Sequence, residues 1–440
     1  MEICLDISSL EKYNPSTLES GGAKDFPILQ GLLKERSLLE VNWLGLPLKN
    51  PILVAASTVS KYKENLTKAD RAGVGAILTK SIQLVPPEYK PAFRAIYYDP
   101  HLGWISTGDS RLTPEEGEEL IRFGVKNLSV PIFASITGPG VDVAGWIHLA
   151  CRMAEAGASA IELNFSGPTG IELAESYFEE NKEERIPTFA GGTICQHPGQ
   201  AREIVKGIRK AVSLPLMVKV TPEASNLRLL AKLCETGGAD AMTAVDSPRG
   251  MCGVDIYNGG RCALPFVDTY PLGGMVGQWL KPLAIRCIIQ IRKATKLPVS
   301  ASGGIMAWKD CIEMLMVGAT TLQLSSVLYW NGFESVKPIL QKIRRFLKEQ
   351  GYKSIDEIIG CSLRYIDTPQ KVTFEEVVSQ VDRSRCNLCM KCLRIGNCLA
   401  RSLKNRRIHV DEEKCTGCGL CYWICKRRAN RFVSNDGPAV

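Results

Sequence analysis

Eight of the seventeen cysteines in this 440-residue chain lie between residues 386 and 425, in two runs, "CNLCMKCLRIGNC" and "CTGCGLCYWIC". Three cysteines at every third position wrap a compact loop around one [4Fe-4S] cubane, and in two-cluster proteins of this pattern the remote fourth cysteine of each run ligates the other cluster. That assigns Cys386, Cys389, Cys392 and Cys425 to one cluster, and Cys415, Cys418, Cys421 and Cys398 to a second. Structural zinc is the competing chemistry, but it favours paired CxxC units separated by a dozen or more residues, and each run here holds a third cysteine. Two departures stand out: five residues precede Cys398 where three are usual, and Lys426 follows Cys425 where proline is usual. Neither removes a ligand.

The other nine cysteines are scattered, and clustering of this kind favours metal ligation in a reducing compartment over a disulfide scaffold. Cys151, Cys234, Cys287 and Cys311 fall on apolar helical patterns and read as core thiols. With 45% hydrophobic and 23% charged residues, the chain can bury one large core and add a smaller domain. The start "MEICLDISSLEKYNPSTLES" lacks a basic-then-apolar leader pattern, and no apolar run reaches spanning length, so a cytoplasmic protein with no membrane partner is expected.

Single electrons moved by such clusters need an acceptor, and the preceding sequence supplies a scaffold for one. Eight short apolar runs, "PILVAAS" (51–57), "AILTKSI" (76–82), "IFASITG" (132–138), "AIELNFSG" (160–167), "PLMVKVT" (215–221), "AMTAVDS" (241–247), "LPVSASGG" (297–304) and "TLQLSSV" (321–327), alternate with helical patterns, several ending at glycine. This is the signature of an α/β protein with a (β/α)8 TIM barrel. Chemistry in such barrels sits at the carboxyl ends of the strands. There the chain offers Ser57, Lys80 with Ser81, Asn164, Lys219, Asp246 with Ser247, Gly303 with Gly304, and Ser325 with Ser326. Most glycines and serines at strand ends merely close turns. A lysine projecting into a barrel mouth is harder to dismiss, because its charge is costly there unless it meets an anion or an electron-rich ring.

These residues carry a resemblance. "NPILVAAST", "ILTKSI", "IELNFSGP", "VKVTP", "GGMVGQWLKPLA", "ASGGI" and "LQLSSV", followed by the two cysteine runs, are similar to the flavin barrel of the dihydroorotate dehydrogenases, and most closely to the barrel and C-terminal ferredoxin portion of dihydropyrimidine dehydrogenase. The resemblance runs from about residue 39 to the end. It implies FMN held by Ala56 and Ser57, by Lys80 and Ser81 along the flavin edge, by Asn164, by Ser247, and by Lys219 near the electron-rich N1 and O2 side. A lysine there favours the anionic reduced ring. The resemblance also implies a phosphate among Gly303, Gly304, Ser325 and Ser326, with Gly277 passing close to the flavin.

The substrate side departs from the family. Gly167 stands where the family has a proton-exchanging cysteine or serine, "ASITGPGVD" lacks the family's amide after the third strand, and Asp246 replaces an asparagine. Pyrimidine is therefore not carried over as substrate. The stretch from Ser166 to Cys195 is longer than the family's active-site loop, and "GGTICQH" within and beyond it offers Cys195 and His197 as groups able to exchange protons. Cys195 ranks first as proton donor. His101, Cys252 and Cys262 are rivals, and Asp246 itself is a candidate for acid–base work or for binding a cationic substrate.

The expected organisation is an extension over 1–38, an FMN barrel over 39–350, a linker over 351–380 and a ferredoxin-like domain with two [4Fe-4S] clusters over 381–440. From Arg383 to Arg431 there are thirteen Lys or Arg against three acidic residues, so this segment carries +10, more than the whole chain's net charge of +8. An exposed basic electron-entry domain suits an acidic redox partner, either an NAD(P)H-oxidising flavoprotein subunit or a ferredoxin. Without interleaved aromatics, nucleic acid is not expected. The function that follows is reduction of an activated C=C or C=N bond of a small organic molecule. An electron-relay subunit and the dihydropyrimidine reaction itself are the alternatives, and a homo- or hetero-oligomer is expected.

Overall fold

The computed structural model describes residues 37–84, 94–99, 103–107, 111–167, 191–251, 253–262, 272–372 and 376–434. The expected extension over 1–38 lies almost wholly outside them. The chain divides after Arg364 into two units.

The first unit is a closed parallel barrel of β1 (Ile52–Val54), β2 (Ala76–Leu78), β3 (Ile132–Thr137), β4 (Ala160–Asn164), β5 (Leu216–Val220), β6 (Ala241–Ala244), β7 (Val299–Ser302) and β8 (Ala319–Leu324). Neighbours pair in chain order, Leu324 beside Val54 closes one seam, and Leu78 beside Phe133 joins β2 to β3. Asn164, Lys219 and Thr243 stand side by side in the register, so the polar ends of three strands share one level.

Helices α1 (Lys63–Ala72), α2 (Pro114–Asn127), α3 (Val143–Glu155), α4 (Pro198–Ala211), α5 (Leu227–Gly237), α6 (Lys281–Ala294), α7 (Trp308–Met316) and α8 (Val336–Glu349) alternate with the strands. Their ends follow local chemistry. Thr113 caps α2 by accepting from the Glu116 N–H while Glu116 reaches back, and Asn226 caps α5. Gly73 and Gly238 close α1 and α5 with φ of 91° and 101°. On α4, Ala201, Ile204, Val205 and Ile208 are fully buried at helical spacing, and each large aliphatic contributes about 1.5 to 3 kcal/mol of transfer free energy. Cys234, Cys287 and Cys311 are core thiols as expected, whereas Cys151 is half-buried.

One expected boundary moves. Ile355 and Ile358, placed in the linker from sequence, are fully buried in the barrel core, and the Ile355 N–H donates to the Leu38 carbonyl. A segment carrying two isoleucines at this spacing is drawn in by burial.

The second unit, from Tyr365, holds two antiparallel ribbons, Val377–Val381 with Asn430–Ser434 and Arg401–Lys404 with Arg407–Val410. Its cysteine loops repeat one backbone pattern. The third and fifth residues of each run are left-handed: Leu388 (φ 55°) and Met390 (φ 61°) in the first, Gly417 (64°) and Gly419 (85°) in the second. The sharp reversals between successive cysteines require that conformation, which glycine adopts freely and other residues only at a cost.

Candidate active site

The carboxyl ends of the barrel strands and an antiparallel sheet formed by Arg94–Asp99, Gly103–Thr107, Gly273–Val276 and Arg249–Gly250 enclose a cavity. All twelve residues named from sequence for the flavin line it. Ala56 and Ser57 follow β1, Lys80 and Ser81 follow β2, Asn164 ends β4, and Lys219 comes from β5. Ser247 follows β6, Gly303 and Gly304 follow β7, Ser325 and Ser326 follow β8, and Gly277 precedes α6. Asp246 lines it as well.

Lys80 and Lys219 are buried to 4% and 3% relative exposure, so two cations stand in the mouth. Lys219 Nζ lies 3.5 Å from Asp246 Oδ2. That carboxylate also accepts from Ser166 Oγ at 3.0 Å and from the Ser247 N–H at 2.8 Å. Burial pushes the Asp246 carboxyl up, but Lys219, the Ser247 N–H, Ser166 and Lys80 together outweigh it and hold the group below the usual carboxylate range. Asp246 is therefore a charged partner for Lys219 at neutral pH.

Beneath them a buried network fixes the floor. Asn164 Oδ1 accepts from the Ser166 N–H and Oγ, and Asn164 Nδ2 donates to Ser81 Oγ at 3.0 Å. Fully buried Glu162 accepts from Thr243 Oγ1 at 2.8 Å and from Gln323 Nε2 at 2.9 Å. Glu162 thereby orients the Gln323 amide, which lines the cavity.

Three polar atoms of lining residues, Ser57 Oγ, Trp104 Nε1 and Gln323 Oε1, are buried without a hydrogen-bond partner among the described residues. Orphaned groups of this kind ask for a polar ligand. A Cβ on Gly304 (φ 81°) would come within 2.3 Å of the Lys281 amide nitrogen, so this turn admits no side chain and exposes its backbone. Buried cations, orphaned donors and acceptors, and a bare turn after β7 fit an anionic ring-bearing cofactor with a phosphate.

The proposed proton donors fare differently. Cys195 is absent from the described lining. It is fully buried in the core, its thiol donates to the Phe165 carbonyl at 3.1 Å, and burial pushes it up to about 12. A thiol so placed is a packing residue, and its role as proton donor is withdrawn. His197 is exposed at the start of α4 and likewise is not among the lining residues. His101, Cys252 and residues 168–190 of the long loop lie outside the described residues, and Cys262 ends a short strand, Arg261–Cys262.

Sequence reasoning missed Glu162, Gln323, Trp104 and Arg111. Glu162 and Gln323 had a signal, a polar side chain in the middle of an apolar strand run. Trp104 comes from the sheet over the mouth, where it packs edge-on against Tyr329 and Trp330. Arg111 precedes α2 and lines the cavity beside Gly167.

In the second unit, one cavity is lined by Cys386, Cys389, Cys392 and Cys425, and another by Cys398, Cys415, Cys418 and Cys421. These are the two crossed sets read from spacing. Among the described residues no three His, Cys, Asp or Glu side chains are close enough to share one metal ion. A cubane holds its four thiolates on four separate irons and so asks for wider spacing. Backbone N–H groups already face the sulfurs, from Ser379 to Cys415 at 3.4 Å and from Ala429 to Cys425 at 3.3 Å. Burial raises the Cys425 thiol, but surrounding backbone N–H groups outweigh it and lower the group, as suits a thiolate ligand.

A barrel whose strand ends carry two buried lysines and a phosphate-type glycine turn, on one chain with a cysteine-rich ferredoxin-like unit, defines an iron–sulfur flavoprotein oxidoreductase. The chain belongs to the dihydroorotate dehydrogenase family: the Dihydroorotate dehydrogenase profile matches residues 38–347, and a 4Fe-4S binding domain profile matches residues 408–429. Curated relatives include the protein named dihydroorotate dehydrogenase B (NAD(+)), catalytic subunit, of Pyrococcus abyssi, 32% identical over 331 residues, which span 74% of this chain and 100% of that one. The protein of the same name from Methanosarcina mazei is 30% identical over 337 residues, 75% of this chain and 96% of the relative. The family's enzymes use FMN and act on CH–CH bonds, and this chain is a flavin-dependent oxidoreductase with a 4Fe-4S domain. Among the described residues, no helix is long and apolar enough to cross a membrane.

Proposed function

We propose that this chain binds FMN in the barrel-mouth cavity and two [4Fe-4S] clusters in its C-terminal unit, and reduces an activated C=C or C=N bond of a small organic substrate with electrons from a redox partner. The observation that carries this reading is the convergence of all twelve family-type flavin residues on one cavity whose Ser57, Trp104 and Gln323 polar atoms lack partners.

Bound there, FMN would supply hydride and single-electron chemistry. The chain's own groups do the rest. Lys80 and Lys219 bring positive charge to the ring, and Asp246 fixes the Lys219 ammonium through the 3.5 Å pair. Asn164, braced by Ser166 and Ser81, presents its amide at the end of β4. The backbone at Gly303, Gly304, Ser325 and Ser326 would hold the phosphate, and Gly277 (φ 118°) turns the chain at the cavity wall. Trp104 and the sheet that carries it limit water above the site. Asp246, ionised, accepts hydrogen bonds from Ser166 and the Ser247 N–H and has no proton to give at neutral pH. The electron donor is an NAD(P)H-oxidising flavoprotein subunit or a ferredoxin.

A relay subunit is the second reading, favoured by Gly167, which exchanges no proton, and by burial of Cys195. Anaerobic reduction with dithionite, followed by addition of enones, cyclic imines, uracil, thymine and orotate, separates the two. Rapid flavin reoxidation by one compound supports a substrate-reducing enzyme. Reoxidation by an acidic ferredoxin or flavoprotein alone supports the relay.

A further inference from the structure

Ser379 and Arg401 connect the two cysteine sets of the second unit. Ser379, 2% exposed in the ribbon strand Val377–Val381, gives its N–H to Cys415 Sγ at 3.4 Å, and its Oγ lies 3.2 Å from Cys421 Sγ. The same Oγ accepts from Arg401 Nη2 at 2.6 Å. A ligating thiolate has no proton to give, so the serine hydroxyl, already an acceptor for Arg401, turns its own hydrogen to the Cys421 sulfur. Arg401 also lines the cavity of Cys398, Cys415, Cys418 and Cys421. It reaches the other set as well: burial raises the Cys392 thiol, and Arg401 pulls against burial through its charge and a hydrogen bond to the sulfur. One guanidinium thus acts on ligands of both sets.

The basic residues of the described linings are Arg385, Lys391, Lys426 and Arg427 around the first cavity, and Arg401 and Lys414 around the second. Every one except Arg401 is exposed, where water and salt screen its charge. Arg401 is half-buried, and its Nη1 is shut off from solvent with no hydrogen-bond partner among the described residues. A buried cationic donor without an acceptor is costly, and a cluster would bring sulfur to meet it.

We propose that Arg401 is a charge shared by both clusters, donating hydrogen bonds to sulfur of each and raising both reduction potentials. This rests on the reading of the second unit as a two-cluster site. Each cluster takes up one electron on reduction, without a proton, and becomes more negative by one. A fixed cation held close and out of solvent therefore favours the reduced form. Because one cation serves both clusters, the two potentials rise together, and electrons enter more easily without a gap opening between the clusters.

The test is an anaerobic redox titration of the full, flavin- and cluster-loaded chain against indicator dyes, with the reduced clusters read by electron paramagnetic resonance. Arg401→Met should move the equilibrium of both one-electron steps about tenfold towards the oxidised form, which is a potential lower by about 59 mV. Arg401→Gln, which keeps an amide donor but no charge, should move both steps in the same direction. Lys404→Met removes the same charge from the exposed end of the same ribbon strand and should shift either step by less than about twofold. The proposal is overturned if Arg401→Met leaves the steps unmoved, if only one step moves, or if Lys404→Met shifts them as far. Iron and acid-labile sulfide are measured on every sample. If neither Arg401 variant holds its clusters, the residue is structural and the proposal falls. Wild-type protein that loads iron for a single cluster fails the two-cluster reading, whereas fully loaded protein whose potentials ignore Arg401 fails only this inference.

Discussion

Lys219 and Asp246 stand 3.5 Å apart at the ends of neighbouring strands, and Lys219 is the better buried of the two. Their pairing halves the net charge that this corner offers a flavin. Removing the carboxylate should leave the lysine uncompensated, so Asp246→Asn should raise the flavin midpoint potential by about 30 mV or more, equivalent to about 1.4 kcal/mol for a two-electron couple. Lys219→Met should lower it by a similar amount, and anaerobic spectroelectrochemistry at flavin wavelengths reads both. Cys195 makes the opposite case, a residue with reactive chemistry disarmed by its surroundings. Its thiol, ordinarily at 9.0, is pushed up to about 12 by burial, so the unfolded chain ionises first as the solution becomes alkaline. The stability this gives is complete below pH 9 and is lost as pH rises towards 12, with a limiting slope of about 1.4 kcal/mol per pH unit for each such thiol. Denaturation of wild type and Cys195→Ala at pH 8 and pH 10.5 should show a smaller alkaline loss in the variant, and turnover of whatever substrate is found should survive the substitution.

At the scale of elements, the two cysteine loops share a backbone path but not its glycines. Leu388 and Met390 hold φ of 55° and 61° where Gly417 and Gly419 stand in the second loop. A side chain in that region costs about 1 to 2 kcal/mol and persists only where the surroundings impose it, here the turn between thiolates. Leu388→Gly should therefore retain its cluster at least as well as wild type, whereas Leu388→Val, β-branched at positive φ, should lose more than about 1 kcal/mol in denaturant titrations followed by cluster absorbance. The contrast also marks what sequence could carry. Cysteine spacing and the eight apolar runs were legible because ligand geometry and strand burial each act over a few adjacent residues. Ten of the twelve residues that line the cavity stand at strand ends and were legible in the same way, while Ala56 and Gly277 came only with the family resemblance. The sheet over the mouth was not legible, since Gly103–Thr107 finds its partner Gly273–Val276 far along the chain, and only that pairing brings Trp104 over the site. Cys195 failed for the same reason in reverse: a thiol shortly after the Gly191–Gly192 pair reads as accessible until tertiary packing seats it against Phe165.

On the scale of the whole molecule, charge is divided unevenly along the chain. The segment from Arg383 to Arg431 carries thirteen basic and three acidic residues, more positive charge than the net +8 of the entire protein, so the remainder is slightly acidic. Part of that charge is shown to solvent beside apolar surface: Trp423 is 72% exposed, and the Arg428 guanidinium lies 4.6 Å from the Tyr422 ring centre and 5.3 Å from that of Trp423. A basic rim around an exposed aromatic is the composition of a transient docking face, where charge sets the encounter rate and a small apolar centre sets the fit. If electrons enter here from an acidic partner, reduction of the clusters by that partner should slow by about tenfold or more between 0.05 M and 0.5 M salt, because screening removes the steering field over that range. Arg427→Glu with Arg428→Glu should reproduce the slowing at low salt and flatten the salt dependence. Reduction by dithionite, a small ion, should change far less, so stopped-flow records with the two reductants isolate docking from electron transfer within the chain. A rate with the protein partner that ignores both salt and the charge reversals would place electron entry elsewhere on the molecule.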